Sequence, residues 1–218
     1  MHGRREGSDG LRPEKGRGIM FTKGFAWGMV VAVLVVLGFW GVSAGAKGSG
    51  KQTCNQVPAE TVADYVHAAL QADRTFYTAH VVERMQAKGI VTASENWRET
   101  NTLPLPAQFL NESNQLVGST RTGIGYRLIS LWPINKRSGP KTPFENTGLS
   151  ETLQHPDRRY SEVVMNGPDT FLQAVYADRA VSQACIGCHN THPDSPKRDF
   201  KLNDVIGGMI ITVPLKNQ

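Results

Sequence analysis

The chain has 218 residues, with 24 Lys and Arg against 19 Asp and Glu, and a formal net charge of +5. That length holds one ordinary domain with appendages. The basic excess sits in the N-terminal tail (Arg4, Arg5, Arg12, Lys15, Arg17 and Lys23 against Glu6, Asp9 and Glu14), and the balanced remainder shows no basic stripe with interleaved aromatics, which excludes nucleic acid as a partner.

Residues 24–46, "GFAWGMVVAVLVVLGFWGVSAGA", carry no charge. As a helix rising 1.5 Å per residue they would extend roughly 34 Å, enough to cross a hydrocarbon core. Trp27 and Trp40 lie near the two ends, where indole rings favour the interface, and the basic residues precede the run. The rival reading is a cleaved signal peptide, with Ala44-Gly45-Ala46 as an A-x-A site, but the apolar run exceeds the usual h-region. The reading is therefore a cytoplasmic tail (1–23), a single-pass anchor in a bacterial inner membrane (24–46), a polar linker (47–57) and a periplasmic domain (58–218). Cys54, in "GKQTC", lacks the apolar residue three positions earlier that a lipobox would carry.

"PAETVADYVHAALQADRTFYTAHVVERMQAKG" predicts a long helix. Pro58 suits its first turn, Glu60 its N-terminal end and Gly89 its C′ position. Val62, Val66, Ala69, Phe76, Tyr77, His80 and Val81 recur near one face, which is expected to point inward. "LPLPAQFLNESNQLVG" predicts a second helix. "IGYRLISLW" (124–132) alternates and reads as a strand. "TPFENTGLSETLQH" predicts a helix with Thr142 at N-cap and Pro143 at N1. "RRYSEVVM" and "TFLQAVYADRAV" flank the turn signal "NGPD" as a hairpin, and "VIGGMIITVPL" is a last strand. Helices followed by an antiparallel meander make an α+β plan.

The chemistry lies in "QACIGCHNTHPDSPKRDF". Cys185-Ile186-Gly187-Cys188-His189 fits the C-x-x-C-H pattern of haem c attachment. Two thiols three positions apart can add to the two vinyl groups of one haem, and the next histidine is then held beneath the iron as proximal ligand. A zinc site lacks a second ligand pair at finger spacing, because His192 is too close. A redox dithiol lacks its βαβ context, and a disulfide across two residues is strained. Haem c is attached on the outer side of bacterial membranes, where this topology puts the motif.

These residues carry a resemblance. "YRLIS…FE…L" and "ACIGCHNTHPDSPKRDFKLNDVIGGMIITVPL" are similar to a single-haem c domain of PAS-like fold, a domain-of-unknown-function family. It occurs as the periplasmic part of bacterial chemoreceptors, histidine kinases and cyclases. "RTFYTAHVV" and "LPLPAQFLNE" resemble its upstream helices, so the likeness spans about residues 58–215. Asn203-Asp204 stands where that family often has Gly-Asp. The resemblance implies an antiparallel PAS-like sheet, flanking helices and one covalent haem. No kinase, cyclase or methyl-accepting segment follows Leu215.

For the iron's sixth position the candidate is His80, with Met209 and Cys54 as alternatives. The plainer readings are a hydrogen-bonded histidine, a core methionine and a linker cysteine. Arg127, Lys197 and Arg198 are candidates to pair with haem propionates, against the plainer reading of solvated surface charges. No Ser/His/Asp set, phosphate-cradling glycine loop or carboxylate pair stands out, so no catalytic residue is assigned and no enzyme is expected. Two functions compete: a membrane-anchored electron carrier or redox subunit with a redox partner, and a haem sensor of redox state or gas that signals through a separate protein.

The anchor reading makes a direct prediction. N-terminal sequencing of the membrane fraction should read the original basic tail; a mature terminus at Lys47 on protein free in the periplasm would refute it.

Overall fold

The computed structural model describes residues 56–215, and both the predicted anchor and Cys54 lie outside them. Among the described residues no helix is long and apolar enough to cross a membrane.

The long N-terminal helix forms in three parts: α1 (Ala59–Phe76), a π-helical segment (Tyr77–Glu83) and α2 (Arg84–Ala87). Pro58 caps its start and Gly89 ends it at φ 66°, a left-handed conformation that costs glycine nothing. A short two-stranded parallel ladder follows, β1 (Ala93–Ser94) with β2 (Leu103–Pro104), with α3 (Trp97–Thr100) between them. Next come α4 (Pro106–Gly118), β3 (Gly125–Ile129) and α5 (Pro143–Gln154). The Thr142 Oγ1 accepts from the Glu145 N–H at 3.2 Å, the predicted cap. The hairpin β4 (Tyr160–Asn166) and β5 (Asp169–Arg179) turns at Gly167, φ 61°. Then α6 (Gln183–Thr191) and β6 (Val205–Leu215) complete the chain.

The four long strands form one antiparallel sheet, ordered β3-β6-β5-β4. The expected meander holds for β4, β5 and β6, but β3 closes on β6 rather than on β4. That placement follows from α5, which spans the gap between β3 and β4 and covers one sheet face. There Phe144 and Leu149 pack on Ile129, Val175 and Ile210. On the opposite face α1 and α4 bring Ala63 and Leu110 against Tyr126, Leu172, Tyr176, Met209 and Ile211. Alternation along β5 and β6 thus serves two cores at once, so both strands read as nearly continuous apolar runs.

The inward line of α1 differs from the expectation. Across α1 and the π-helical segment the buried positions are Ala63, Arg74, Thr78 and Val82, whereas Phe76 is 63% exposed and His80 is exposed with it. The buried line is therefore partly polar. Arg74 is tolerated there because Asp178 on β5 forms an ion pair with it, both side chains being almost wholly buried. At Asp178 the β5–β6 ladder slips by one residue, since Asp178 pairs with Gly207 and Arg179 with Val205. Such a bulge bends the strand and re-aims its side chains. The freed Ile206 carbonyl accepts from Ser130 Oγ at 2.7 Å. Gly207 is required beside it, since a Cβ there would lie 2.4 Å from the Ile129 carbonyl oxygen.

Removing one member of the buried pair strands the other charge. Asp178→Ala should destabilise the domain by about 3–5 kcal/mol in chemical denaturation, whereas Arg74→Met combined with Asp178→Leu should restore most of that loss.

Candidate haem-attachment site

The segment that sequence patterns left without a structure is a nine-residue helix, α6. At 3.6 residues per turn, Cys188 and His189 stand three and four positions after Cys185, so both thiols and the imidazole share one side of α6. Both cysteines are half-buried and free. Cys185 and Ile186 pack against a small cluster of Ala180, Phe200 and Ile206 at the end of the sheet, with Trp132 beside them. The Ser182 Oγ lies 3.6 Å from Cys185 Sγ.

A chain of backbone and side-chain bonds fixes α6 to the sheet. The Ala180 N–H donates to the Asp204 carbonyl and Asn203 N–H to the Ala180 carbonyl, each at 2.9 Å. Asn203 has φ 68°. This is a left-handed position that glycine or asparagine tolerates best, which accounts for Asn203 where the resembled family often has glycine. Asn190 on α6 clamps the returning chain at both ends of one residue. Its Nδ2 donates to the Phe200 carbonyl at 2.9 Å and its Oδ1 accepts from the Phe200 N–H at 3.0 Å. The Phe200 ring then stands edge-on to His189, with centroids 5.7 Å apart.

α6 also packs against the π-helical segment. Short π-helical stretches inside α-helices occur frequently at functional sites. His192, at the end of α6, lies 3.5 Å from Glu95 in the β1–α3 turn. His189 is mostly buried, which pulls its imidazole below the ordinary value; Asp178 opposes this, while Arg74 and His192 add to it. Burial pushes the Cys188 thiol up, with Glu95 and Cys185 adding to the shift.

The residues fit a c-type haem. A ligating imidazole must be neutral, and one ring nitrogen faces the metal while the other turns into the protein. His189 Nδ1 is enclosed without a hydrogen-bond partner among the described residues, which leaves Nε2 as the nitrogen available to iron. Two free half-buried thiols on the same side of the helix complete the donor set. Among the described residues, no three His, Cys, Asp or Glu side chains converge as a metal-ion cage.

The other predicted site residues are placed apart. His80 projects outward, its ring tilted against Phe76 at 5.0 Å, so its supposed inward face is corrected. The period of the buried line explains this: Thr78 and Val82 point in, and His80 lies midway between them. Met209 is 1% exposed in the main core, paired across the sheet with Leu128 and Tyr176. Arg127 is ion-paired with Glu145 of α5, Lys197 is ion-paired with Asp199 and lies over the Trp132 and Phe200 rings, and Arg198 donates to the Pro193 and Ser195 carbonyls. Sequence reading missed Arg74 and Asp178. The available signal was an aspartate inside the apolar strand "FLQAVYADR".

Fold and site together define an α+β domain that presents a C-x-x-C-H helix at the end of an antiparallel sheet. The chain belongs to the Tll0287-like family, whose model matches residues 52–214. The crystal structure of the cyanobacterial heme-protein Tll0287 is similar, at 16% identity and a TM-score of 0.47, covering 74% of this chain and 99% of that one. Among curated proteins no relative matches.

The raised Cys188 titration has a measurable consequence. In haem-free protein, Cys188 should stay a thiol at neutral pH, and its alkylation should accelerate only at more alkaline pH than for an exposed cysteine. Peptide-resolved iodoacetamide labelling across pH reads this; labelling at neutral pH as fast as free cysteine would contradict it.

Proposed function

We propose that this protein is a membrane-anchored, periplasmic mono-haem c-type cytochrome that transfers electrons or serves as a redox subunit. One observation carries the reading: α6 offers Cys185, Cys188 and His189 on one side, with His189 Nδ1 turned into the protein. Membership of a family named after a protein described as a haem-protein supports it. In this reading the two thiols hold the porphyrin and His189 is the proximal ligand. Haem supplies one-electron chemistry, and the protein supplies attachment, orientation and electrostatics. The partner would be a redox protein on the same side of the membrane. The strand order β3-β6-β5-β4 with helices on both faces is compatible with a PAS-like domain.

The sensor reading has one observation in its favour. The attachment helix α6 packs against the π-helical segment of the long N-terminal helix, so a shift at the haem has a rigid element to act on. On the iron's far side, His80 is the candidate we retain, because it belongs to that same segment and its side chain is exposed rather than held in the core. Met209 and Cys54 are the alternatives.

Acid-acetone extraction of the purified protein should leave haem on the polypeptide, and Cys185→Ala with Cys188→Ala should abolish this. Haem that extracts freely from the wild type would overturn the assignment. Ferrous protein that refuses carbon monoxide supports electron transfer, while ready binding supports sensing. His80→Ala should turn the ferric low-spin spectrum high-spin; an unchanged spectrum moves the ligand to whichever of Met209 or Cys54 responds.

A further inference from the structure

Among the described residues, the buried side-chain nitrogen and oxygen atoms without a partner are His67 Nε2, Gln71 Oε1, Arg74 Nε and His189 Nδ1. The first three recur at i, i+4 and i+7 along α1, on the side of Arg74. The fourth belongs to the proposed haem ligand. A dry, unpaired polar atom costs about 1–3 kcal/mol, and buried polar groups normally find a partner in protein or ordered water. The three on α1 form a polar seam along its buried side, and the charge of Arg74 at its inner end acts on His189.

The seam's outer end is His67, which lines a cavity of about 390 Å³ together with Asp64, Asp157, Arg158, Arg159 and Tyr176. The His67 ring lies flat on Tyr176, centroids 4.0 Å apart and planes 7° from parallel. The Tyr176 hydroxyl donates to Asp64 Oδ1 at 2.8 Å, and Arg159 holds the same carboxylate at 3.0 Å. Two residues on from Tyr176, and so on the same face of β5, stands Asp178 in its ion pair with Arg74. The Asp178 carboxylate acts electrostatically on both His67 and His189. It therefore links the cavity's imidazole to the attachment helix.

We propose that His67 is the redox-linked proton site of this protein, taking a proton from the cavity when an electron enters the haem and returning it on oxidation. The inference rests on the haem assignment above. An external one-electron donor supplies the electron that converts ferric to ferrous iron. The proton comes from the bulk solvent pool by way of the cavity and is taken up on the His67 imidazole, so one negative and one positive charge are added together. The groups around His67 are Asp64 on its own helix, Tyr176 and Asp178 on β5, and Asp157, Arg158 and Arg159 on the α5–β4 loop. Each of the three carboxylates is ion-paired, Asp64 with Arg159, Asp178 with Arg74 and Asp157 with Arg179, with Arg158 beside them, and the incoming electron adds a negative charge that none of these pairs answers. Burial holds His67 below the ordinary imidazole value, with Asp64 and Asp178 opposing, which favours the neutral ring before an electron arrives. An added electron raises its proton affinity. Protonation thus favours the reduced state, and the midpoint potential falls as pH rises through the window between the two titrations, which opens below about pH 6.5.

The test is a redox titration of the full haem-loaded chain from about pH 5 to about pH 8. His67→Phe keeps a ring to stack on Tyr176 but carries no proton. The wild-type potential should fall with pH, His67→Phe should lose that dependence, and His155→Gln, at the exposed end of α5, should retain it. Nuclear magnetic resonance of the labelled His67 imidazole gives a second reading independent of the variant's folding: it should titrate at higher pH in the reduced protein. A flat wild-type potential, an unchanged slope in folded His67→Phe, or equal imidazole titrations in the two states overturns the proposal. A chain without haem overturns the cofactor reading and this inference with it, while a haem-loaded chain with a flat potential overturns this inference alone.

Discussion

The buried ion pair between Arg74 and Asp178 constrains nearly everything at the functional end of this domain. Two charges removed from water are tolerated only with each other, so α1 and β5 are held in one relative register. An apolar pair of similar volume would pack as firmly; what the ion pair adds is direction. It fixes a carboxylate and a guanidinium whose charges both act on His189, and it places Asp178 at the β-bulge from which the chain leaves the sheet for α6. The neutral state of the His189 imidazole comes first from burial, with Arg74 adding to it and Asp178 opposing it.

Much of the fold was legible because local chemistry and tertiary demand agree. Pro58, Gly89, Thr142, Pro143 and Gly167 all mark the ends or turns they suggest, since caps and positive φ values are set by short-range sterics. The sheet order was less legible. Which strand receives β3 depends on α5 covering a face, a contact between residues far apart in the chain. The inward face of α1 misled for the opposite reason. Apolar periodicity assumes that buried means apolar, and here the buried line passes through Thr78, which donates to the Arg74 carbonyl, and through Arg74, whose acceptability depends on a partner 104 residues later. Phe76 and His80 looked like core and are exposed.

The site divides in the same way. Cys185, Cys188 and His189 were legible because haem attachment needs those residue types at fixed short spacing, which sequence displays directly. The groups that tune His189, and the His67–Tyr176 stack beyond them, come from elements scattered over the chain. No spacing rule announces them. The same distinction applies to the propionate candidates: Arg127, Lys197 and Arg198 are basic residues in plausible neighbourhoods, yet each already has a partner within the protein.

Attachment at α6 is the claim from which the functional account follows. Peptide mass spectrometry of purified full-length protein tests it most directly. The account predicts that the peptide containing residues 185–189 carries the mass of one haem, with neither cysteine open to alkylation. Recovery of that peptide with two free thiols or an internal disulfide, from protein that nonetheless binds haem, would contradict it.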